Sequence, residues 1–302
     1  MAGASADTTE RANVAHLTEA AEVFESNRRR LFGIAYRILG TVADAEDVVQ
    51  DAWLRWQATD RSVVLNAEAF LVTTVTRLAI NAATSARARR EQYVGPWLPE
   101  PVPTGDDPFL GAERAEALSV GVLTLMEHLT PAERAVYVLR EAFDYPFRQI
   151  AEVLSTSEVN ARQLARRARD HLAGERRAPA QREEISRLLV AFQSAARSGN
   201  LDQLEQVLAE DVVSISDGGG KVTAARQPVR GRDRVARFLL GALRRFGQDA
   251  TFEIADANGG SCLLIKQQTE LLALATISGS ADVIDGIYIV RNPDKLTTAR
   301  PW

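Results

Sequence analysis

The sequence predicts a multidomain chain: two all-α units joined by an extended linker, followed by an α+β domain. Three observations carry this. Residues 19–92 show helical periodicity without a single proline, and residues 111–177 show it again. Between them lies Gly95-Pro96-Trp97-Leu98-Pro99-Glu100-Pro101-Val102-Pro103-Thr104-Gly105, a run that cannot continue a helix. After Arg176-Arg177-Ala178-Pro179 the pattern turns to helices and then to strand-like runs at Cys262 to Ile265, Leu271 to Ile277 and Val283 to Val290. At 302 residues there is enough chain for each unit to bury a core of its own.

Residues 1–18 are polar, carry Asp7 and Glu10, and lack the basic start and apolar stretch of a secretory signal. They read as a flexible N-terminal segment. Within 19–92, the stretch 44–56 places Ala45, Val48, Val49, Ala52 and Trp56 on an apolar helix face. Asp44, Asp47 and Asp51 share another face, with Glu46 and Gln50 beside them. An acidic stripe repels phosphates, so it is either a solvated face or a docking surface for a basic protein groove. Residues 57–66 follow as a loop able to hold an extruded base. Glu68 to Gln92 has the length of one helix, with Phe70, Leu71, Val75, Leu78 and Ala79 inward. Thr73, Arg77, Asn81 and Thr84 run along its outer side, and Arg87, Arg89 and Arg90 close it, a pattern suited to a DNA strand.

The linker spans 93–110 and reads as extended. In 111–177, Thr130-Pro131-Ala132-Glu133 supplies an N-cap, a proline at the first helical position and a glutamate three residues after the cap. That helix ends near Asp144-Tyr145-Pro146. The next carries Phe147, Ile150, Ala151 and Leu154 on one face, and Ser155-Thr156-Ser157 makes the turn. A third helix buries Ala161, Leu164, Ala168 and Leu172 and shows Arg162, Arg166 and Arg169 on one stripe, Gln163 and Arg167 on the next. A short helix, a polar turn and an arginine-studded helix make a helix-turn-helix, whose last helix enters the major groove. The alternative is a solvated helical hairpin.

Composition narrows the classes. No apolar run approaches the length of a membrane span. A lone Cys262 excludes an internal disulfide framework and suits a reducing cytoplasm. The net charge is −4: residues 1–180 hold 21 arginines against 25 acidic residues, and 181–302 hold 15 basic against 15 acidic. Free DNA-binding domains usually carry a basic excess, so any DNA contact rests on local arginine clusters or on a partner. Lysine occurs only at Lys221, Lys266 and Lys295.

Together these residues resemble the extracytoplasmic-function sigma factors, subunits that give RNA polymerase its promoter recognition. Asp44-Ala45-Glu46-Asp47-Val48-Val49-Gln50-Asp51-Ala52-Trp53 looks like the family's region-two motif, and Leu129-Thr130-Pro131-Ala132-Glu133-Arg134 through Leu172 looks like region four. The resemblance implies that Asp44, Glu46, Asp47, Gln50 and Asp51 contact core RNA polymerase, whose clamp and flap regions are the expected partners. It implies that Ala58 to Asn81 melts and reads the downstream promoter element, with Arg77, Asn81 and Arg87 on DNA. Arg162, Gln163, Arg166 and Arg167 face the upstream element in that scheme. Dependence on polymerase for promoter binding would explain the missing basic excess.

A narrower resemblance covers three pentapeptides. Trp97-Leu98-Pro99-Glu100-Pro101, Asp217-Gly218-Gly219-Gly220-Lys221 and Asn292-Pro293-Asp294-Lys295-Leu296 are similar to signatures of a subgroup with a fused, cone-shaped SnoaL-like domain. The subgroup implies a built-in regulator in 181–302 and an interface formed by the three pentapeptides. Read on their residues alone, Gly218-Gly219-Gly220 is either a loop that cradles an anion through its N–H groups or, the commoner case, a hairpin turn, and Asn292-Pro293-Asp294-Lys295 is a turn. Relatives of the SnoaL fold include enzymes, but His16, His128 and His171 all precede this domain. Asp217, Lys221 and Asp285 remain as candidate polar pocket residues. No catalytic residue, metal or cofactor is expected, and an unidentified small ligand in the C-terminal pocket is the remaining candidate partner. A helix-turn-helix regulator independent of polymerase and a DNA-tethered SnoaL-type enzyme are the competing readings. Whether the domain inhibits or assists stays open.

Overall fold

The computed structural model describes residues 3–104, 119–173, 182–246, 249–280 and 283–297. Helices α1 (Gly3–Leu39), α2 (Val42–Ala58) and α3 (Ala67–Glu91) build the first unit. The first helix starts at Gly3, within the segment 1–18 that the sequence reads as flexible. That stretch is alanine-rich and has neither proline nor a further glycine before Gly33, so nothing in it interrupts a helix. Helix α2 buries the five predicted apolar residues, and Trp56 Nε1 donates to the Ala20 carbonyl at 3.0 Å. Asn66 caps α3 by accepting from the Ala69 N–H at 2.9 Å.

The second unit holds α4 (Val120–Leu125), α5 (Pro131–Tyr137), α6 (Phe147–Val153) and α7 (Glu158–Ala173), with α5 running on as a π-helical stretch over Val138–Ala142. The capping box of Thr130 and Glu133 is complete in both directions. Residues 105–118 and 174–181, where the linker end and the unit boundaries were expected, lie outside the described residues.

One apolar core joins the two helical units. Leu31, Ile34 and Ile38 of α1 and Val75 of α3 share a cluster with Val136, Leu139 and Ile150. Arg37 is buried and its guanidinium stands 5.0 Å over the Phe143 ring. At the far end of α1, Arg134 Nη1 donates to the Ile38 carbonyl at 2.8 Å and Arg90 Nη2 donates to that of Leu39. Glu127 bridges the two arginines, so cations from α3 and α5 cap the carbonyl end of α1.

The C-terminal domain is α+β. Helices α8 (Arg182–Ser198) and α9 (Leu201–Gln206) precede β1 (Leu208–Asp217) and β2 (Val229–Arg230). Then follow α10 (Arg232–Phe246), β3 (Ala250–Ala257), β4 (Gly260–Gln267), β5 (Glu270–Ser280), β6 (Val283–Val290) and the short α11 (Pro293–Leu296). The sheet order is β2-β1-β6-β5-β4-β3, with β1 and β6 parallel and the other pairs antiparallel.

The side-chain period of two divides this sheet into two working faces. Leu263, Ala275, Ile277 and Ile287 face α8 and α10, where Phe192 and Leu239 complete the core. Cys262, Leu264, Leu274 and Val290 point the other way and form a separate cluster with Leu98 of the linker and Leu296 of α11. The linker is thus a structural layer of the C-terminal domain.

Candidate functional site

The three pentapeptides meet at one point. Asp217, fully buried at the end of β1, accepts from Lys295 Nζ at 2.7 Å and from the Leu98 N–H at 2.9 Å through Oδ2. Its Oδ1 accepts from the Tyr93 hydroxyl at 2.6 Å and the Gly219 N–H at 3.0 Å. Lys295 Nζ also donates to the Leu98 carbonyl at 2.5 Å. A buried carboxylate with four donors is well compensated, which is what burying a charge demands. Burial pushes the Lys295 ammonium down to about 8; Asp217 pulls it back up and Arg90 adds to the fall. Burial likewise raises the Tyr93 hydroxyl, helped by its bond to Asp217.

Aromatic and backbone contacts complete this latch. Arg90 and Lys295 lie 3.6 Å and 4.3 Å from the centroid of the Trp97 ring. Asn292 caps α11 by accepting from the Asp294 N–H, and its Nδ2 donates to the Tyr93 hydroxyl at 2.8 Å. Gly218, Gly219 and Gly220 form the turn read from their sequence, closed by the Lys221 N–H on the Gly218 carbonyl. Gly219 has φ +59, and a Cβ there would sit 2.4 Å from Asn292 Nδ2. Lys221 is exposed and pairs with Asp294 at 2.5 Å. Pro293 is exposed, while Pro99, Pro101 and Leu296 are buried.

The same linker grips the first helical unit. The Glu100 N–H donates to the Gly40 carbonyl, and Glu100 Oε2 accepts from the Val42 N–H at 2.7 Å. Thr41 makes no side-chain cap bond to α2, so this linker glutamate serves the start of the helix that carries the acidic stripe. Tyr36 donates to the Glu100 carbonyl at 2.6 Å and accepts from Asn258 Nδ2 at 2.7 Å. Asn258 exchanges bonds with Val102 in turn. The chain order helical unit, linker, sheet is stitched at every step.

The acidic stripe is split. Asp47, Gln50 and Asp51 are exposed. Asp44 is tied to Thr41 and Arg89, and Glu46 to Arg28 at 2.8 Å. Among the DNA candidates, Asn81 and Arg87 are exposed on α3. Arg77 is exposed as well, but its guanidinium is engaged: it donates to the Val153 carbonyl at 2.8 Å, the Glu152 carbonyl at 3.2 Å and Ser155 Oγ at 2.8 Å. The helix-turn-helix sits on the outer side of α3. On α7, Gln163 is exposed, Arg162 lies 5.0 Å over Phe147 and pairs with Glu158, and Arg166 has Asp170 at 3.7 Å. Arg167 reaches Glu133 at 3.9 Å.

A cavity lies between α8, α10 and the sheet, and Asp217, Lys221 and Asp285 are not among its lining residues, which corrects their reading as pocket residues. Asp217 and Lys221 belong to the latch side of the sheet, and Asp285 accepts from Ser278 Oγ at 2.7 Å. Sequence reasoning missed Tyr36, Tyr93 and Asn258, whose partners lie between about 60 and 220 residues away in the chain and leave no local signal.

Known proteins place this architecture. A model of Sigma-70 region 2 matches residues 23–89, and one of Sigma-70, region 4 matches residues 119–172. Over 233 residues the chain is 43% identical to the ECF RNA polymerase sigma factor SigJ of Mycobacterium tuberculosis, covering 74% of this chain and 73% of that protein. It is 30% identical to the probable ECF RNA polymerase sigma factor SigI of the same organism, covering 92% and 94%. The crystal structure of Mycobacterium tuberculosis SigJ matches with a TM-score of 0.73 at 36% identity, covering 92% of this chain and 98% of that one. With two helical units of the matching kind and a relative this similar along most of its length, the chain belongs to the ECF RNA polymerase sigma factors.

Proposed function

We propose that this sigma factor rests in a closed form in which its own C-terminal domain holds the two DNA-reading units together. In the open form, Asp47, Gln50 and Asp51, with Asp44 and Glu46, dock on the clamp region of core RNA polymerase, and region four meets the flap. The loop 59–66 and α3, through Asn81, Arg87 and a released Arg77, take the downstream element. Arg162, Gln163, Arg166 and Arg167 take the upstream one.

The observation that carries this is the engagement of Arg77. A cation on the DNA-facing side of α3 is spent on the carbonyls of the helix-turn-helix, so the strand and the turn compete for it. The Asp217–Lys295–Leu98 latch favours the turn, because it anchors the linker that leads from α3 to region four. The C-terminal domain acts as an inhibitor in this scheme.

The test is promoter-dependent transcription with core polymerase, comparing the wild-type chain with Lys295→Met and Asp217→Asn. Higher output from folded latch variants is expected. Unchanged or lower output from both would remove the inhibitory role, and absence of core binding by any form would remove the sigma scheme itself.

A further inference from the structure

On the face of the sheet opposite the latch, α8, α10 and the strands enclose a cavity of about 460 Å³. Its size falls in the range of sites that take ligands of ordinary drug size. The walls are apolar, with Phe192, Phe238, Phe252, Leu263 and Ile289 contributing. Three cationic side chains, Arg237, Arg245 and Arg291, join the lining, and among the described residues no carboxylate or imidazole does.

Arg237 and Arg245 are exposed and Arg291 is half-buried, so the cations stand where the apolar hollow meets solvent, and Arg237 pairs with Asp233 at 2.8 Å. Arg245 and Arg291 instead converge on one ring: they stand 5.2 Å and 4.8 Å from the centroid of Phe246. Arg291 donates to the Thr223 carbonyl, and burial lowers its guanidinium from the ordinary arginine value. Two guanidinium groups on one aromatic plane present a fork to an oxygen anion while their stems cover the apolar wall. Further in, β1 adds Ser216 to the lining. One pleat along the same face, Ser214 Oγ is fully buried with no hydrogen-bond partner among the described residues.

We propose that this cavity is a binding site for an amphipathic carboxylate. Its aliphatic or aromatic body fills the hollow between α10 and the sheet, and its head group is held by Arg245 and Arg291. The apolar wall selects the body by area, and the paired arginines select the charge. A neutral alcohol of the same length gains the first and forgoes the second. A cationic amphiphile meets like charge at the head site.

The experiment is isothermal titration calorimetry of the full chain with dodecanoate, dodecanol and dodecyltrimethylammonium, each kept below aggregation. Dodecanoate is expected to bind once per chain, roughly tenfold or more tighter than the other two, since a charge-assisted hydrogen bond is worth that factor. Arg291→Gln and Arg245→Gln are each expected to weaken dodecanoate by roughly tenfold and to leave dodecanol unchanged. Equal affinity for acid and alcohol, dodecanoate binding indifferent to both substitutions, or no binding of dodecanoate to the folded chain overturns the proposal. Thermal midpoints are measured alongside. Arg245 is exposed, so its variant carries the comparison if Arg291→Gln fails to fold.

Discussion

Lys295 is the residue on which the closed form most directly depends. In the latch it loses its proton near 8, whereas a solvated lysine keeps it to 10.5, so the open form binds more protons throughout that window. Stability rises with pH wherever the unfolded or open state holds more protons. The lysine therefore makes the closed form more stable as pH climbs from about 8 towards 10.5. Asp217, Glu100, Arg90 and Tyr93 face this ammonium, and buried Cys262 and Tyr36 and half-buried Tyr93 keep their protons longer than usual, which pulls the other way at alkaline pH. The lysine's share is isolated by comparison with Lys295→Met: the urea midpoint of the wild type should gain on that of the variant between pH 7.5 and 9.5. A constant difference would mean that the latch does not control the lysine's proton. Gly40 gives a second, purely steric case. Its φ of +77 favours glycine, and a Cβ there would lie 2.6 Å from the tip of the Trp97 ring. Gly40→Ala should cost about 2 kcal/mol or more by urea denaturation, since it adds backbone strain to displacement of the indole.

At the level of elements, α2 presents two kinds of acid. Asp44 and Glu46 are partnered by Arg89 and Arg28, and Asp47 and Asp51 are exposed. Surface pairs of this kind contribute little stability, so charge reversal at Asp47 and Asp51 should leave the thermal midpoint nearly unchanged. It should nevertheless weaken core-polymerase binding by roughly tenfold or more, because complementarity between charged surfaces governs such encounters. Pull-down or fluorescence titration with core polymerase reads this, and unchanged binding would move the docking surface elsewhere. The face of α2 was legible because its period is helical and uninterrupted, and the capping box at Thr130 was legible because a cap is a local affair. β1 was not, since Glu210, Asp211 and Asp217 break the apolar run that marked β4, β5 and β6. Asn292-Pro293-Asp294-Lys295 read as a turn and is the N-cap and first residues of a single capped turn of helix. The extended linker was legible from its prolines, but its burial was not: Leu98 has no apolar neighbour at strand spacing, and its partners come from β4, β5, β6 and α11.

Across the whole molecule, the two units that read DNA share one core, and the linker between them is the third layer of the sheet. Opening the molecule therefore means exposing apolar surface in two places: between α1, α3 and the helix-turn-helix, and under the linker. Apolar exposure costs roughly 25 cal/mol for each Å², so in the proposed scheme binding to core polymerase supplies the free energy of opening. The lone cysteine reports the second event. Cys262 is fully buried in the cluster that contains Leu98, and burial pushes its thiol up to about 12, so in the closed form it is shielded both from reagent and from ionisation. Lifting the linker removes Leu98 from that cluster and returns the thiol towards its ordinary reactivity. Iodoacetamide labelling followed by mass spectrometry of the Cys262 peptide should be slow in the free chain. It should be faster in Lys295→Met, where the latch is cut, and faster again when core polymerase holds the two helical units. If core polymerase binds and labelling stays as slow as in the free chain, the linker remains seated in the complex. Opening would then be confined to the contact between Arg77 and the helix-turn-helix.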